Sequence, residues 1–298
     1  LSQLKGVPKS LIYRVVRSGE VRVNKGRAHV DTRLQSGDEV RIPPIRYTEK
    51  ESEHSAPPLK LSEMPPILFE DQNIMVVDKP AGMASHGGSG ISYGLIERMR
   101  ASRPELPFLE LVHRLDRGTS GVLVLAKTRK ALVRLHEMIR EGEMHKTYQA
   151  LVKGDWQNDR QHAKFPLFKY VTPSGERRVR VDPENGLPSH SIFRLKERFG
   201  PVSLVEVDLL TGRTHQIRVH AAELGFPLVG DEKYGDFAFN DEVAHGSLGV
   251  PFKRMFLHSG KICFHHPITG EELEIEAPLP KDCVELIEVL EQRKAQNK

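Results

Sequence analysis

Cysteine is almost absent from this sequence of 298 residues, which contains only Cys263 and Cys283. Two cysteines cannot build a disulfide framework, so we expect a protein of a reducing compartment, the cytoplasm. No apolar run reaches the roughly 18 residues that a membrane span needs. No basic stretch followed by an apolar one is visible near Leu1, as a secretory signal requires. The sequence therefore predicts a globular protein that does not span a membrane and is not stabilised by disulfide bonds.

Negative charge is scarce in residues 1–46, where ten Lys and Arg side chains face only four Asp and Glu. The whole chain carries a net charge of only +4, so the excess of positive charge is confined to this segment. Apolar residues recur there at helical spacing and then alternate as in a short hairpin, which predicts a compact α/β module. Such a module is typical of polyanion binding, although a solvated basic face is the alternative. The side chains predicted to contact the polyanion are Arg14, Arg17, Arg22 and Lys25.

Residues 47–66 are rich in proline and poor in large apolar side chains, which predicts a linker. The chain is thus divided into a basic module (residues 1–46), the linker and a larger domain (residues 67–298). In the larger domain, several predicted apolar strands adjoin one another without an intervening helix. They include Leu109–Leu115, Val122–Ala126, Val202–Leu209, Phe256–His258 and Lys261–Phe264. This order predicts an α+β fold, a mainly antiparallel mixed sheet flanked by helices. A basic region that extends to about Leu187 is predicted to be rich in loops, and its cations are either solvated or further contacts to a polyanion.

A carboxylate stands among arginines in the segment Leu111–Gly121, LVHRLDRGTSG. Small residues and glycines surround Asp116, and apolar strands are predicted on both sides of the turn. This placement projects Asp116 from the edge of a rigid sheet and leaves room for a substrate. For an isolated aspartate, capping of the turn is the more common role, so the interpretation depends on the neighbouring motifs.

Two further motifs carry polar groups at regular spacing. In Gly212–His220, a helix capped by Thr214 would place His215 and Arg218 on one face, suited to an anion or a carboxylate. In Lys146–Val152, Tyr148 lies on an alternating strand, where a tyrosine is more often part of the core than a ligand. Each motif alone is also compatible with an ordinary charged helix or a core strand.

Taken together, these motifs and the upstream stretch Val76–Gly82 resemble the pseudouridine synthases of the RluA type. The resemblance covers essentially all of residues 67–280 and keeps the order and rough spacing of four motifs. Residues 1–46 resemble the small S4-like RNA-binding module first seen in a ribosomal small-subunit protein, without its usual first helix. A proline-linked module ahead of this catalytic domain is most similar to family members that act on large-subunit ribosomal RNA.

The resemblance implies that the enzyme isomerises specific uridines to pseudouridine after the base has been flipped out. It places the catalytic aspartate at Asp116 and its arginine partner at Arg218 in a bidentate grip. The family's tyrosine falls on Tyr148, where it can stack on the uracil, and whether it also delivers or accepts a proton at C5 stays open. Whether Asp116 attacks C1′, removes a proton from C2′ or stabilises positive charge on the sugar stays open. Arg114 is expected to fill the vacated base stack. The other residues predicted to bind RNA in this domain are Lys79, His113, Arg213, His215 and Ile217.

Because the isomerisation neither adds nor removes atoms, no cofactor is expected. The spacing of Cys263, His265 and His266 does not favour a metal site. The pair His266-Pro267 is instead expected to close a turn. Two other function classes stay in view, a non-catalytic RNA-binding or ribosome-assembly protein and a glycoside hydrolase. The hydrolase normally needs two facing carboxylates, of which the motifs offer one. A family member that acts on another RNA is the third alternative, and a monomer is the expected state.

Overall fold

The computed structural model describes residues 9–43, 56–88 and 92–296. The chain divides into two compact units, Leu1–Pro57 and Pro58–Lys298. Much of the predicted linker, residues 47–55, lies outside the described residues. Its last part packs on the second unit, since Leu59 is buried in that unit's core and Leu61–Glu63 form a 3-10 turn. Within the described ranges, no helix is long and apolar enough to cross a membrane.

The first unit contains one helix and three short antiparallel strands. These are α1 (Lys9–Arg17), β1 (Arg22–Val23), β2 (Gly26–Arg27) and β3 (Val40–Arg41), with β1 in the centre of the sheet. Asn24 and Lys25 connect β1 to β2 with positive φ angles of 48° and 67°, as a type I′ hairpin turn requires. The four cations predicted to contact RNA, Arg14, Arg17, Arg22 and Lys25, are all exposed.

The second unit is built around a ten-stranded sheet. Its strands are β4 (Ile67–Glu70), β5 (Ile74–Lys79), β6 (Glu110–Leu111), β7 (Ser120–Ala126), β8 (His145–Lys153), β9 (Arg160–Ala163), β12 (Ser191–Arg198), β13 (Val202–Leu209), β14 (Leu257–His265) and β15 (Glu272–Glu276). Strands β10 (Leu167–Val171) and β11 (Arg177–Val181) form a separate hairpin. The helices are α2 (Leu95–Ser102), α3 (Arg129–Glu141), α4 (Gln216–Glu223), α5 (Phe237–Ala244) and α6 (Lys281–Gln296).

The strand order along the main path of the sheet is β4-β5-β7-β14-β8-β13-β12-β9, while β15 pairs with β14 and β6 with β7. Only β7 and β14 pair in parallel; the other pairs in this sheet are antiparallel. The predicted α+β class with a mainly antiparallel mixed sheet is therefore confirmed. Gly121 makes the parallel contact possible, because a Cβ there would lie 2.1 Å from the carbonyl oxygen of Ser259, and its φ is +113°.

The central strands are continuous apolar runs because the sheet is covered on both faces. In β5, Met75 and Val77 belong to one core cluster, and Ile74 and Val76 to another. Helix α2 contributes to the first cluster and α3 to the second. The two core clusters pack against opposite faces of the sheet and make it rigid. The loops that follow its strands can therefore keep polar side chains in fixed positions.

Three sequence-based predictions about this unit were wrong in detail. The basic region before Leu187 is not only loop: β10 and β11 pair there, with Leu167 and Val179 packed on Val219. The strand predicted over Leu109–Leu115 is reduced to β6, and the two strands predicted near residues 256–264 form one strand, β14. This last strand is irregular between Ser259 and Lys261, which explains why its alternation seemed to stop and restart.

The expected role of the pair His266-Pro267 agrees with the geometry. Nδ1 of His266 accepts hydrogen bonds from the backbone of Ile268 and Thr269, and Nε2 donates to Asp71 at 2.6 Å. The imidazole thus closes the turn between β14 and β15. No group of three or more potential metal ligands occurs in the described part of the chain.

Candidate active site

A cleft of about 1030 Å³ opens on the second unit where the loop before β7 meets the start of α4. Asp116, Tyr148, Ile217 and Arg218 all line it, so the fold brings together residues that lie as much as 102 positions apart. Asp116 is the one carboxylate among the described residues of the lining. Six lining side chains are cationic: Arg114, Arg117, Arg140, Lys146, Arg213 and Arg218. The cleft is thus suited to an anionic ligand.

Asp116 lies beside the guanidinium of Arg218. Nη1 of Arg218 donates to Oδ2 of Asp116 at 2.9 Å, and the Asp116 side chain is 29% exposed while that of Arg218 is 8% exposed. Nε2 of His215 lies 3.9 Å from the same oxygen. No hydrogen bond to Oδ1 of Asp116 occurs among the described residues, so this oxygen is available to a substrate.

Asp231 is the second partner of Arg218, and sequence reasoning missed it. This carboxylate has no exposed surface and accepts from Nε and Nη2 of Arg218, both at 2.7 Å. The bidentate grip that was predicted between Arg218 and Asp116 is therefore made with Asp231, and Asp116 receives a single hydrogen bond. The edge of the guanidinium formed by Nε and Nη2 can bind only one carboxylate at two points, and the buried Asp231 occupies it.

The surroundings of Asp231 favour its charged form. Burial alone would raise its pKa, but the hydrogen bonds and charge of Arg218 outweigh burial and leave the pKa below its usual value. The backbone amides of Lys233 and Tyr234 also donate to Oδ1. The Arg218 guanidinium is therefore held by a rigid acceptor on one side, with its third nitrogen directed to Asp116.

His215 also differs from its predicted position. It is not within the helix but precedes it as the N-cap of α4, in the left-handed conformation with φ of 54°. Its Nδ1 is 2.7 Å from the hydroxyl of Tyr234, and that hydroxyl accepts from the backbone of Val179 in β11. Burial lowers the pKa of His215 despite the opposing charge of Asp116. The imidazole is thus directed at Asp116, and the predicted cap at Thr214 is wrong by one residue.

Tyr148 and Ile217 form the apolar wall of the cleft. Tyr148 is only 6% exposed, and Ile217 is buried in the same core cluster. Burial raises the pKa of Tyr148, so its phenol is neutral. A flat buried ring at the bottom of a cleft provides a surface against which a planar base can lie.

Arg114, predicted to enter the base stack, is exposed at the cleft. It is positioned by His86, a residue that the sequence motifs did not indicate. Nη1 of Arg114 donates a hydrogen bond to Nε2 of His86 at 2.8 Å, and Nδ1 of His86 donates one to the carbonyl oxygen of Gly87. Arg213 is exposed too, and its Nε donates to the carbonyl of Pro188. Both guanidinium groups therefore keep donors available for an incoming anion.

Lys79 was predicted to hold RNA, and the structure contradicts this. Its side chain has no exposed surface, and Nζ donates to the carbonyls of Pro80, Met83 and, at 3.4 Å, Arg117. Burial lowers the pKa of Lys79 to about 7. Its role is structural: it ties the end of β5 to the loop that carries Asp116.

His113 lies in the wall of the cleft with its ring turned toward β7. Nε2 accepts from the backbone amide of Val124 at 3.1 Å, which requires the proton to reside on Nδ1. Burial, followed by the charge of the nearby Lys146, holds the pKa of His113 well below its usual value. A neutral imidazole forms no ion pair with RNA, and the buried Nδ1 of His113 has no hydrogen-bond partner among the described residues.

The fold and the cleft together define a class. The profile of the family described as RNA pseudouridylate synthase matches residues 73–223, half of the chain. The solved structure of human RNA pseudouridylate synthase domain containing 1 is 26% identical, with a TM-score of 0.59, and the similarity covers 78% of this chain and 97% of that one. The human domain containing 4 superimposes with a TM-score of 0.62 at 24% identity, over 76% of this chain and 92% of that one. The chain belongs to the RNA pseudouridylate synthase family.

Individual relatives are considerably closer in sequence. Ribosomal large subunit pseudouridine synthase C of Salmonella typhi is 51% identical over 97% of this chain and 90% of its own length. The protein of the same name from Escherichia coli strain K12 is 51% identical over 93% and 87%, and that from Pasteurella multocida is 50% identical over 100% and 90%. Similarity of this extent includes the basic first unit as well as the second.

Proposed function

We propose that this enzyme isomerises uridines to pseudouridine in large-subunit ribosomal RNA. The observation that carries the proposal is the arrangement of Asp116, hydrogen-bonded through Oδ2 to a guanidinium that Asp231 fixes, with Oδ1 available in a cationic cleft. Relatives about half identical to this chain bear the name ribosomal large subunit pseudouridine synthase C, which supports the choice of RNA.

The reaction breaks the N1–C1′ bond and forms the C5–C1′ bond, while a proton leaves C5 and N1 gains one. Asp116 acts on the ribose, where bond breaking develops positive charge, and Arg218 fixes the direction of the carboxylate. Tyr148 and Ile217 hold the uracil ring during its rotation, and stacking on an aromatic ring is worth roughly 1–3 kcal/mol per base. The neutral phenol of Tyr148 is a hydrogen-bond donor to the ring rather than a base.

Access to a paired or stacked uridine requires that the base be flipped out, at a cost of a few kcal/mol. Arg114 lies two residues before Asp116 and is exposed, so its guanidinium can fill the vacated stack as the uridine enters the cleft. Arg213 is exposed and supplies a further contact to the flipped nucleotide or its phosphates. His215 contacts the substrate while its Nε2 faces Asp116.

The first unit provides affinity for RNA that does not depend on the RNA sequence. Arg14, Arg17, Arg22 and Lys25 are exposed on the first unit, and we propose that this unit is an S4-like module. Each RNA phosphate that they neutralise would release counterions. We further propose that residues 47–66 link this module to the catalytic domain, and that the enzyme works as a cytoplasmic monomer without a cofactor.

The test is to incubate the purified chain with unmodified transcripts of large-subunit ribosomal RNA and to map pseudouridine along them. We expect pseudouridine at a small number of discrete sites and none in a small-subunit transcript of similar length. Pseudouridine only in a different RNA would refute the choice of substrate. An RNA complex without any pseudouridine would instead favour the alternative of a non-catalytic RNA-binding protein.

A further inference from the structure

Lys146 is a half-buried cation in the lining of the cleft, and the proposed mechanism does not use it. It precedes Tyr148 by two residues on β8, so the two side chains share a face of the strand. Its Nζ lies beside Gly212, where a Cβ would be 4.0 Å away. Among the described residues, the ammonium of Lys146 has neither a hydrogen-bond partner nor an ion pair that would balance its charge.

An ammonium in this position is costly without a counter-ion. Burial lowers the pKa of Lys146 to about 8, and no carboxylate contributes to raising it again. Buried cations in proteins are normally paired with an acid or with several carbonyls, as Lys79 is here. Asp116 is the only carboxylate among the described lining residues, and it is engaged by Arg218. The described part of the chain therefore supplies no counter-ion to Lys146.

A second polar group in the same wall is also without a partner. Nδ1 of His113 is fully buried and has no hydrogen-bond partner among the described residues. It carries the proton of the neutral ring, since Nε2 accepts from Val124, so it is an unused donor. Lys146 is near enough for its charge to lower the pKa of His113. Two unsatisfied donors, one of them cationic, therefore line one part of the cleft.

We propose that Lys146, with His113 beside it, forms a binding site for a backbone phosphate of the RNA strand that carries the flipped nucleotide. A phosphate supplies the missing negative charge, and its oxygens are the acceptors that the Lys146 ammonium lacks. The uracil ring is a poorer occupant, because it has no full charge in the ground state. This inference rests on the proposed function in one respect, that the ligand is RNA.

The experiment measures equilibrium binding of a large-subunit ribosomal RNA transcript to the full chain at several salt concentrations. Lys146→Met removes the charge with little change of side-chain length, and Lys146→Arg keeps the charge. Lys130→Met is the matched control, since Lys130 is exposed on α3 and does not line the cleft. Thermal unfolding of each variant without RNA checks folding, and Lys146→Met is expected to be at least as stable as the parent because it removes an unpaired buried charge.

We expect Lys146→Met to weaken RNA binding roughly tenfold or more and to lower the slope of log affinity against log salt by about 0.7–0.9, the loss of one phosphate contact. Lys146→Arg should retain most of the slope, and Lys130→Met all of the affinity. An affinity and slope for Lys146→Met equal to those of Lys130→Met would overturn the phosphate site. Pseudouridine formation by the parent chain is measured on the same transcript. If the parent chain binds the transcript but forms no pseudouridine, the proposed function is refuted. The salt slopes of the variants still test whether Lys146 binds a phosphate.

Discussion

Replacement of Asp231 by Asn tests whether this buried carboxylate is the anchor of the site. Asp231 has no exposed surface, and both of its oxygens accept from Arg218 at 2.7 Å. The amide has the same shape, but it carries no charge and presents an N–H₂ group to one guanidinium nitrogen. Removal of one partner of a buried ion pair costs about 3–5 kcal/mol. Because Asp116 remains as a second partner of Arg218, we expect the lower end, about 3 kcal/mol.

The stability assay is urea unfolding of the parent and the variant at neutral pH and in acid. The pKa of folded Asp231 lies below that of the unfolded chain, so its stabilising contribution is complete above the unfolded value of about 4. It is lost as the pH falls through the lower folded pKa. The difference between parent and Asp231→Asn should therefore be full at pH 7 and should shrink in acid below pH 4.

The activity assay is single-turnover pseudouridine formation with saturating enzyme. Freed from Asp231, Arg218 no longer has one fixed direction toward Asp116, and we expect the rate to fall by roughly 100-fold, about 2.7 kcal/mol. The control is Asp241→Asn, since that side chain is 78% exposed and outside the cleft, and it should change neither quantity. A variant of Asp231 as stable and as fast as Asp241→Asn would refute the anchoring role.

Three further predictions concern single side chains. Arg218→Lys should lose most of the single-turnover rate although the charge is kept, because an ammonium cannot bind Asp231 at two points and still reach Asp116; equal rates would contradict this. His86→Ala should release Arg114 and weaken RNA affinity by a few fold while urea stability stays within about 0.5 kcal/mol, and a large loss of stability would indicate a structural role instead. The free energy of unfolding of the parent should rise from pH 7 to 9, because the folded pKa of Lys146, about 8, lies below the unfolded value of 10.5, so the unfolded chain binds more protons there. In Lys146→Met that part of the rise, about 1.3 kcal/mol between pH 7 and 9, should be missing from the pH profile.

The sheet of the second unit was predictable where its strands are buried on both faces. Residues 202–209 were predicted as a strand and form β13 with the same bounds. The run 122–126 lies within β7, because apolar residues without interruption are the pattern of a strand covered on both sides. The hairpin of β10 and β11 was missed because its exposed positions are mostly Arg and Lys, so the two apolar residues that pack on α4 were too few to reveal the alternation.

The candidate site was predictable only as far as the motifs extend. Asp116, Tyr148 and Arg218 do line one cleft, as the order of the motifs implied. Asp231 has no motif of its own and reaches Arg218 only because the chain after α4 turns back at Gly230, so a linear pattern could not identify it. The direction of His215 could not be predicted either, since a left-handed backbone at a residue other than glycine is set by tertiary contacts, here with Tyr234.

The central claim is that the Asp116 carboxylate performs chemistry on the RNA rather than holding it. The most direct measurement compares Asp116→Asn with the parent chain in single-turnover pseudouridine formation and in affinity for the same large-subunit transcript. We predict that pseudouridine becomes undetectable while the affinity stays within about threefold, because the lost charge was not a contact to phosphate. Pseudouridine formed at an undiminished rate, or a loss of affinity large enough to explain the lost activity, would contradict the account.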